Sequence, residues 1–432
     1  MKRILIYIFS FFTVVLPGSA QRMMTLSECI GQALDANYGI RIAVNNEQIN
    51  RNNRNYGVFL PTLSASASQR ESTVDSKRTD SNGTERKFNN TVTDNLSASV
   101  NLNWRIFDGL AMFTTHARLK EIVSRGELET RLAVEKLIAQ VSTGYYNILV
   151  QTSLLKAAKQ TLELSEQRFN VAMQKYKIGN LSGLELKQTK IDLNADSSSL
   201  VEQQEALRSA YINLNTLMNT ELKRVDYVKD SIVLLPMLQY EDIQDRMLAD
   251  NTSLEIARRD KKISELDLKL ARSAFFPTVD FQSGYSFSRS DSPQSITTFS
   301  QSNGLFWGFS MNLPIFDKLE NSRKLKNSKV ELKNNELNYQ DLELQMKSDL
   351  AQLYNSYENS LLMVSFESES AEVAYETLQA AMERYRLGDL SGIEFREFQR
   401  SYVSAVTRKL TAEFQAKTAE ISLMLLSGGL RM

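Results

Sequence analysis

Two serine–glutamate pairs, Ser182 with Glu185 and Ser391 with Glu394, carry the clearest local chemistry in this chain. Their Ser-x-x-Glu spacing is that of a capping box. The serine oxygen accepts from the backbone three residues on, and the carboxylate accepts from the serine's own N–H. Each pair closes a near-copy of the same ten residues, YKIGNLSGLE from Tyr176 to Glu185 and YRLGDLSGIE from Tyr385 to Glu394, identical at six positions. Gly179 and Gly388 are suited to end one helix at positive φ, and the serines to start the next. Reactive chemistry is thin elsewhere. His116 is the single histidine and Cys29 the single cysteine, which leaves no His/Cys metal cluster and no internal disulfide. We read Cys29 as a small packed residue of the first helix and His116 as a residue on a helix face. There is no Gly-rich phosphate loop and no nucleophile elbow. These absences argue against an enzyme, and no cofactor is expected.

The capped turns need long helices around them, and the repeat supplies two sets. At an offset of 209 residues the turns align, and Trp104–Asp108 (WRIFD) falls on Leu313–Asp317 (LPIFD) without a gap. Phe59–Leu63 (FLPTL) matches Phe275–Val279 (FFPTV) at an offset of 216. A duplication of this length governs the whole organisation. The expected layout is a first repeat over 21–218, a connection over 219–240 and a second repeat over 241–432. Each repeat reads as an opening helix, a strand, a polar loop, a strand, and a helical hairpin. The hairpin tips are expected near 177–184 and 386–393. None of the six prolines lies between 62 and 235 or after 314, so two tracts of more than a hundred residues are free to be helical.

Strands are expected at about 62–69, 95–106, 278–288 and 304–314. Leu96, Ala98, Val100, Leu102, Trp104 and Ile106 alternate with polar residues, as do Val279, Phe281, Tyr285 and Phe287. Leu305, Trp307, Phe309, Met311 and Leu313 do the same in the last run. Period two gives one apolar and one polar face. Runs of about ten residues suit tilted strands in a bilayer. The aromatic residues Trp104, Trp307, Phe309, Phe281 and Phe287 are then membrane-facing. The segments Arg70–Asp94 and Arg289–Asn303 read as long polar loops. Four strands cannot close a barrel, and an open edge is not tolerated in lipid, so several copies must contribute.

In the helical tracts Leu155, Leu162, Phe169 and Tyr176 recur every seven residues, as do Leu193, Leu200, Leu207 and Leu214, and Val364, Ala371, Leu378 and Tyr385. These are coiled-coil seams. Charged stretches such as Gln167–Lys177 and Glu336–Asp349 read as solvated faces. From Leu110 to Tyr176 the pattern is continuous, with a break near Gly144 or Tyr146 left open. The first twenty residues, 1–20, read as a secretory signal peptide: a basic start, an apolar run from Ile4 to Leu16, and small residues before Gln21. Its loss takes 51 basic residues to 49 against 51 acidic, a formal charge of −2, so no field recruits nucleic acid.

In the order and spacing of these landmarks, the chain resembles the outer-membrane efflux proteins, the TolC-like channel-tunnels. The resemblance implies a mainly α protein with transmembrane β-strands. Three chains would form a 12-stranded outer-membrane barrel joined to a helical coiled-coil tunnel in the periplasm of a Gram-negative bacterium. It implies a homotrimer in outer-membrane lipid. The trimer is the passive exit duct for an inner-membrane pump reached through a periplasmic adaptor, in efflux or type I secretion. It implies that Gly179, Leu181, Ser182, Gly388, Leu390 and Ser391 meet the adaptor. It also implies that Tyr385, Glu185, Glu394 and Glu397 belong to a periplasmic gate and pore. This chain carries Glu where family members commonly carry Asp, and Leu390 where the best-known member has a basic residue. The alternative reading, a periplasmic coiled-coil adaptor without a channel, would bring one hairpin and compact β-domains instead of two hairpins and four amphipathic strands.

Overall fold

The computed structural model describes residues 24–79, 81–220, 231–293 and 297–430. The signal peptide expected at 1–20, and residues 221–230 of the connection, lie outside the described residues. The first half runs α1 (Leu26–Ala36), α2 (Tyr38–Asn53), β1 (Thr62–Thr79), β2 (Glu85–Asp108), α3 (Ala111–Lys177) and α4 (Gly183–Met218). The second repeats that order as α5 (Tyr240–Asp250), α6 (Thr252–Ser273), β3 (Thr278–Asp291), β4 (Phe299–Asn312), α7 (Glu320–Leu387) and α8 (Gly392–Leu426). The chain forms two compact units, one of Ala43–Thr130 with Thr252–Leu344, the other of the remaining segments.

The first of these units holds the sheet, in the order β1-β2-β3-β4 with every neighbouring pair antiparallel. β1 and β4 are its edges. The alternation read from the sequence is realised across strands: Trp104 pairs with Phe281, and Phe281 with Phe309, on one face. The opposite face is a ladder of hydroxyls. Ser66 meets Ser99 at 3.0 Å, and Ser68–Ser97 and Ser288–Ser302 each meet at 2.8 Å. The strands run beyond the expected ten residues, to 18 and 24 for β1 and β2 and 14 each for β3 and β4. Much of what read as loop at Arg70–Asp94 is ladder. Thr73 pairs with Val92 and Val74 with Thr91 there, β-branched residues that suit a strand but are too few to announce an apolar face. Asp108 and Asp317 accept from the amides of Met112 (3.1 Å) and Asn321 (2.7 Å), so each IFD motif caps the helix after its strand pair. Within this unit α6 is tied to α3 by Arg118–Asp267 at 2.5 Å and Arg259–Glu121 at 3.0 Å, and to α7 by Lys261–Glu336 at 2.9 Å. His116 stacks on Tyr56 at 5.2 Å, as a ring among rings.

The helical unit has two matching cores. In one, Cys29 and Ala33 of α1 pack against Val141, Tyr145 and Leu214 of the first hairpin. In the other, Ile243 and Met247 of α5 pack against Leu350, Tyr357 and Leu423 of the second. Each fully buried aliphatic side chain contributes about 1.5–3 kcal/mol. Burial pushes the Cys29 thiol up to about 12. Each opening helix of the sequence reading proves to be two, broken at Asn37 and Asn251. Their side chains donate to Leu217 O (2.9 Å) and Leu426 O (2.8 Å), the ends of α4 and α8. α3 continues unbroken through Gly144, where a Cβ would stand 3.4 Å from Leu214 Cδ1.

Candidate functional site

The two hairpin tips are built from the duplicated decapeptide, and both capping boxes form. Ser182 Oγ accepts from the Glu185 amide at 3.2 Å, and Ser391 Oγ from the Glu394 amide at 3.3 Å. In return the Glu185 carboxylate accepts from the Ser182 amide at 3.3 Å, and that of Glu394 from the Ser391 amide at 2.9 Å and hydroxyl at 2.7 Å. Those two bonds from Ser391, amide first, hold the Glu394 carboxyl below the usual carboxylate range. Gly179 and Gly388 take φ of +79° and +94°, with the next amides reaching back to Lys175 O (2.8 Å) and Arg384 O (2.9 Å). Only glycine adopts this backbone without strain. Gly179, Ser182, Gly388 and Ser391 are exposed, while Leu181 and Leu390 are half-buried. Glu185, Glu394 and Glu397 all face solvent.

The tyrosines of the motif part company. Tyr176 is 47 % exposed and Tyr385 only 3 %. Tyr385 lies against Phe395 with ring centroids 5.5 Å apart, and Lys175 Nζ stands 4.7 Å over its ring. Burial pushes its phenol up, opposed by the charge of Arg168 and by a hydrogen bond from it. A cavity of about 30 Å³ brings Tyr385, Arg168, Leu181 and Glu185 around one point, enough for about one water. Glu185 and Tyr385, both expected at the gate, therefore line one cavity together with Arg168.

Above the tips lies a polar network that the sequence reading missed. Arg168 of α3 donates to Asp192 of α4 at 2.7 Å, with side chains 3 % and 9 % exposed. One turn on, Asp196 accepts from Ser165 and takes a two-pronged pair from Arg396 of α8, at 2.6 and 2.9 Å. Gln399, fully buried, donates to Ser165 Oγ (2.7 Å) and Thr161 O (3.0 Å) and accepts from Arg396 (3.0 Å). Gln167–Lys177 is thus not wholly a solvated face, because Arg168 turns inward to its carboxylate. The available signal was the spacing of Asp192 and Asp196, four apart and each beside the leucine seam of α4.

On the sheet, Trp104, Phe281 and Phe309 form a row across three strands, with Phe281–Phe309 centroids 5.1 Å apart and Trp307 edge-on to Phe309. Phe287, on the same face, pairs with Ala98 and Asn303 further along. Trp104, Trp307 and Phe309 are exposed on this chain. The polar face carries one ion pair at the helix end of the strands, Arg105 with Asp280 at 2.9 Å. Among the described residues no cluster of His, Cys, Asp or Glu could hold a metal, and no helix is apolar enough to cross a membrane.

The sequence profile of the outer membrane efflux proteins matches residues 46–220 and 244–429. The probable outer membrane lipoprotein SilC of Salmonella typhimurium is 25 % identical over 70 % of this chain and 65 % of its own length. The probable efflux pump outer membrane protein TtgC of Pseudomonas putida is 24 % identical over 70 % of this chain and 64 % of its own. The chain thus covers just under two thirds of the length of these curated relatives. The crystal structure of CusC superposes with a TM-score of 0.78 at 20 % identity, covering 94 % of this chain and 92 % of that one.

Proposed function

This chain belongs to the outer membrane efflux protein family, and we propose that it is the passive outer-membrane exit duct of a tripartite efflux or secretion system. The observation that carries this reading is the sheet. It has four strands, two unpaired edges, an aromatic face and a hydroxyl face. Lipid accepts the aromatic face but not the edges. Pairing β1 of one copy with β4 of the next satisfies both, and three copies give a closed 12-stranded barrel with the serine ladders lining its lumen. The helical hairpins then form a tunnel wall in the periplasm.

In this reading the tips, through Gly179, Leu181, Ser182, Gly388, Leu390 and Ser391, meet a periplasmic adaptor and through it a pump. Glu185, Glu394 and Glu397 line the periplasmic opening, and Tyr385 closes it from within the wall. The glutamates keep both jobs, because a capping carboxylate still presents its charge to the pore. Cargo is set by the pump, not by this chain.

The decisive experiment is fractionation of the full-length protein followed by planar-bilayer recording. A detergent-stable trimer from the outer membrane, conducting in bilayers, is the expected result; a soluble monomer without current ends the reading. In the same assay, Glu394→Ala with Glu397→Ala is expected to alter conductance or block by divalent cations. Unchanged currents remove these two residues from the pore.

A further inference from the structure

We propose that Phe306 forms an apolar platform on the lumen wall of the barrel, one per chain, that takes flat aromatic solutes on their way out. That the platform lies in a lumen rests on the channel reading; the pairing of Phe306 with Gly284 does not. The choice of cargo stays with the pump, and the rings act on what arrives.

Phe306 of β4 stands directly opposite Gly284 of β3. Parity puts both on the hydroxyl face, with Ser288 and Ser302 further along the same two strands. Among the described residues where the four strands lie side by side, Phe306 is the one aromatic residue on that face; Trp307 and Phe309 beside it lie on the other. No Cβ fits at Gly284. It would stand 2.9 Å from Phe306 Cζ, 2.8 Å from Asn101 Oδ1 and 2.7 Å from Val100 O, so the ring lies over bare backbone. Its other sides are open. At Gly304 and Gly308, which flank it on the same face, a Cβ would meet nothing within 4 Å, and Phe306 is 45 % exposed.

The fold does not demand an aromatic ring here. At the offset of 216 the counterpart of Gly284 is Ser68, and at the offset of 209 that of Phe306 is Ser97. Those two serines also stand opposite each other, and their hydroxyls meet at 2.8 Å. The duplicated position therefore holds a hydroxyl pair in one repeat and a glycine–phenylalanine pair in the other, and strand pairing is satisfied by either. A ring laid over a glycine can steady a strand, but that role is served by burial, and nearly half of this ring is left open. An apolar surface facing water gains by being covered, and a phenyl ring favours an offset partner ring. Twelve strands ~4.8 Å apart and tilted by ~40° enclose a lumen ~24 Å across between backbones, so three rings held to its wall leave the passage open.

The test uses the full-length protein in planar bilayers. Ethidium, a flat aromatic cation, is the probe, and tetrabutylammonium is its aliphatic counterpart. In the wild-type chain ethidium is expected to interrupt the current with the longer events. In Phe306→Ser the ethidium dwell time should fall about fivefold, the scale of one lost aromatic contact, while that of tetrabutylammonium holds. The double variant Gly284→Ser/Phe306→Ser rebuilds the serine pair of the first repeat and should match the single one. Phe306→Tyr keeps the ring and should keep the block.

Equal ethidium dwell times in the wild-type chain and Phe306→Ser overturn the platform, as does an equal loss in Phe306→Tyr. A fall that tetrabutylammonium shares also overturns it, because charge or pore width then accounts for the change. Should Phe306→Ser fail to fold, the double variant gives the same comparison with a pair that the first repeat already accommodates. A wild-type chain without current defeats the channel and the platform with it; current with a block indifferent to residue 306 defeats the platform alone.

Discussion

The two hairpin tips share a sequence motif and a cap, yet one buries its tyrosine and the other exposes it. The difference lies in what surrounds the motif. Tyr385 is covered by Phe395, Lys175 and Arg168. At the offset of 209, Phe395 corresponds to Leu186 and Arg168 to the exposed Thr377. Duplication kept the turn, which backbone geometry requires, and let the seam beside it diverge. Of the two copies, the second tip is the one whose tyrosine is locked into the packing between the hairpins.

Three measurements bear on that asymmetry, in order of expected effect. Arg168→Leu strands Asp192 in a site that is nearly closed to solvent, and should cost about 3–5 kcal/mol in denaturant unfolding. Its counterpart Thr377→Leu should stay within about 0.5 kcal/mol. Similar losses at both positions would mean that the two seams are equivalent after all. Next, Tyr385→Ala should cost about 3 kcal/mol by loss of a buried ring, against less than about 1 kcal/mol for Tyr176→Ala. Thermal melts of the purified protein read both, and equal shifts break the comparison.

The smallest effect concerns the caps, where the copies should agree. Ser182→Ala and Ser391→Ala should each cost about 1 kcal/mol. The second cap also carries a pH dependence. The folded Glu394 carboxyl titrates below its unfolded value, so its contribution is full above the ordinary range near ~4.3 and is lost as pH falls through the depressed value. Amide exchange at the start of α8, followed from about pH 6 down to 3, should show protection falling in that direction. Protection that rises on acidification would contradict it.

The strand faces, the Gly turns and the IFD exits were legible because each is a short-range pattern with its own period or backbone demand. Trp104, Phe281 and Phe309 fall on one face by parity alone. The network was not legible. Arg168, Asp192, Asp196 and Arg396 sit among many similar charges on long helices, and a buried charge is distinguished only by a partner tens or hundreds of residues away. Arg396 lies 200 residues from Asp196. The breaks at Asn37 and Asn251 were within reach, since Leu34-Asp-Ala-Asn37 and Leu248-Ala-Asp-Asn251 share their Leu and Asn with the two middle residues exchanged. Their side-chain bonds to the ends of α4 and α8 were not, because they join segments far apart in the chain.

The unequal edges of the sheet, 18 residues in β1 and 14 in β4, have a genetic consequence. A ring closed by joining these edges is assembled head to tail, so each copy has one donor side and one acceptor side. A chain spoiled on a single side can still recruit a neighbour through the other and then leave the circle open. Such an allele should poison its wild-type siblings. Co-expressing a β4 proline variant with the intact chain should cut export by more than its share of the protein, whereas a loss in simple proportion would show that the sides are not joined this way.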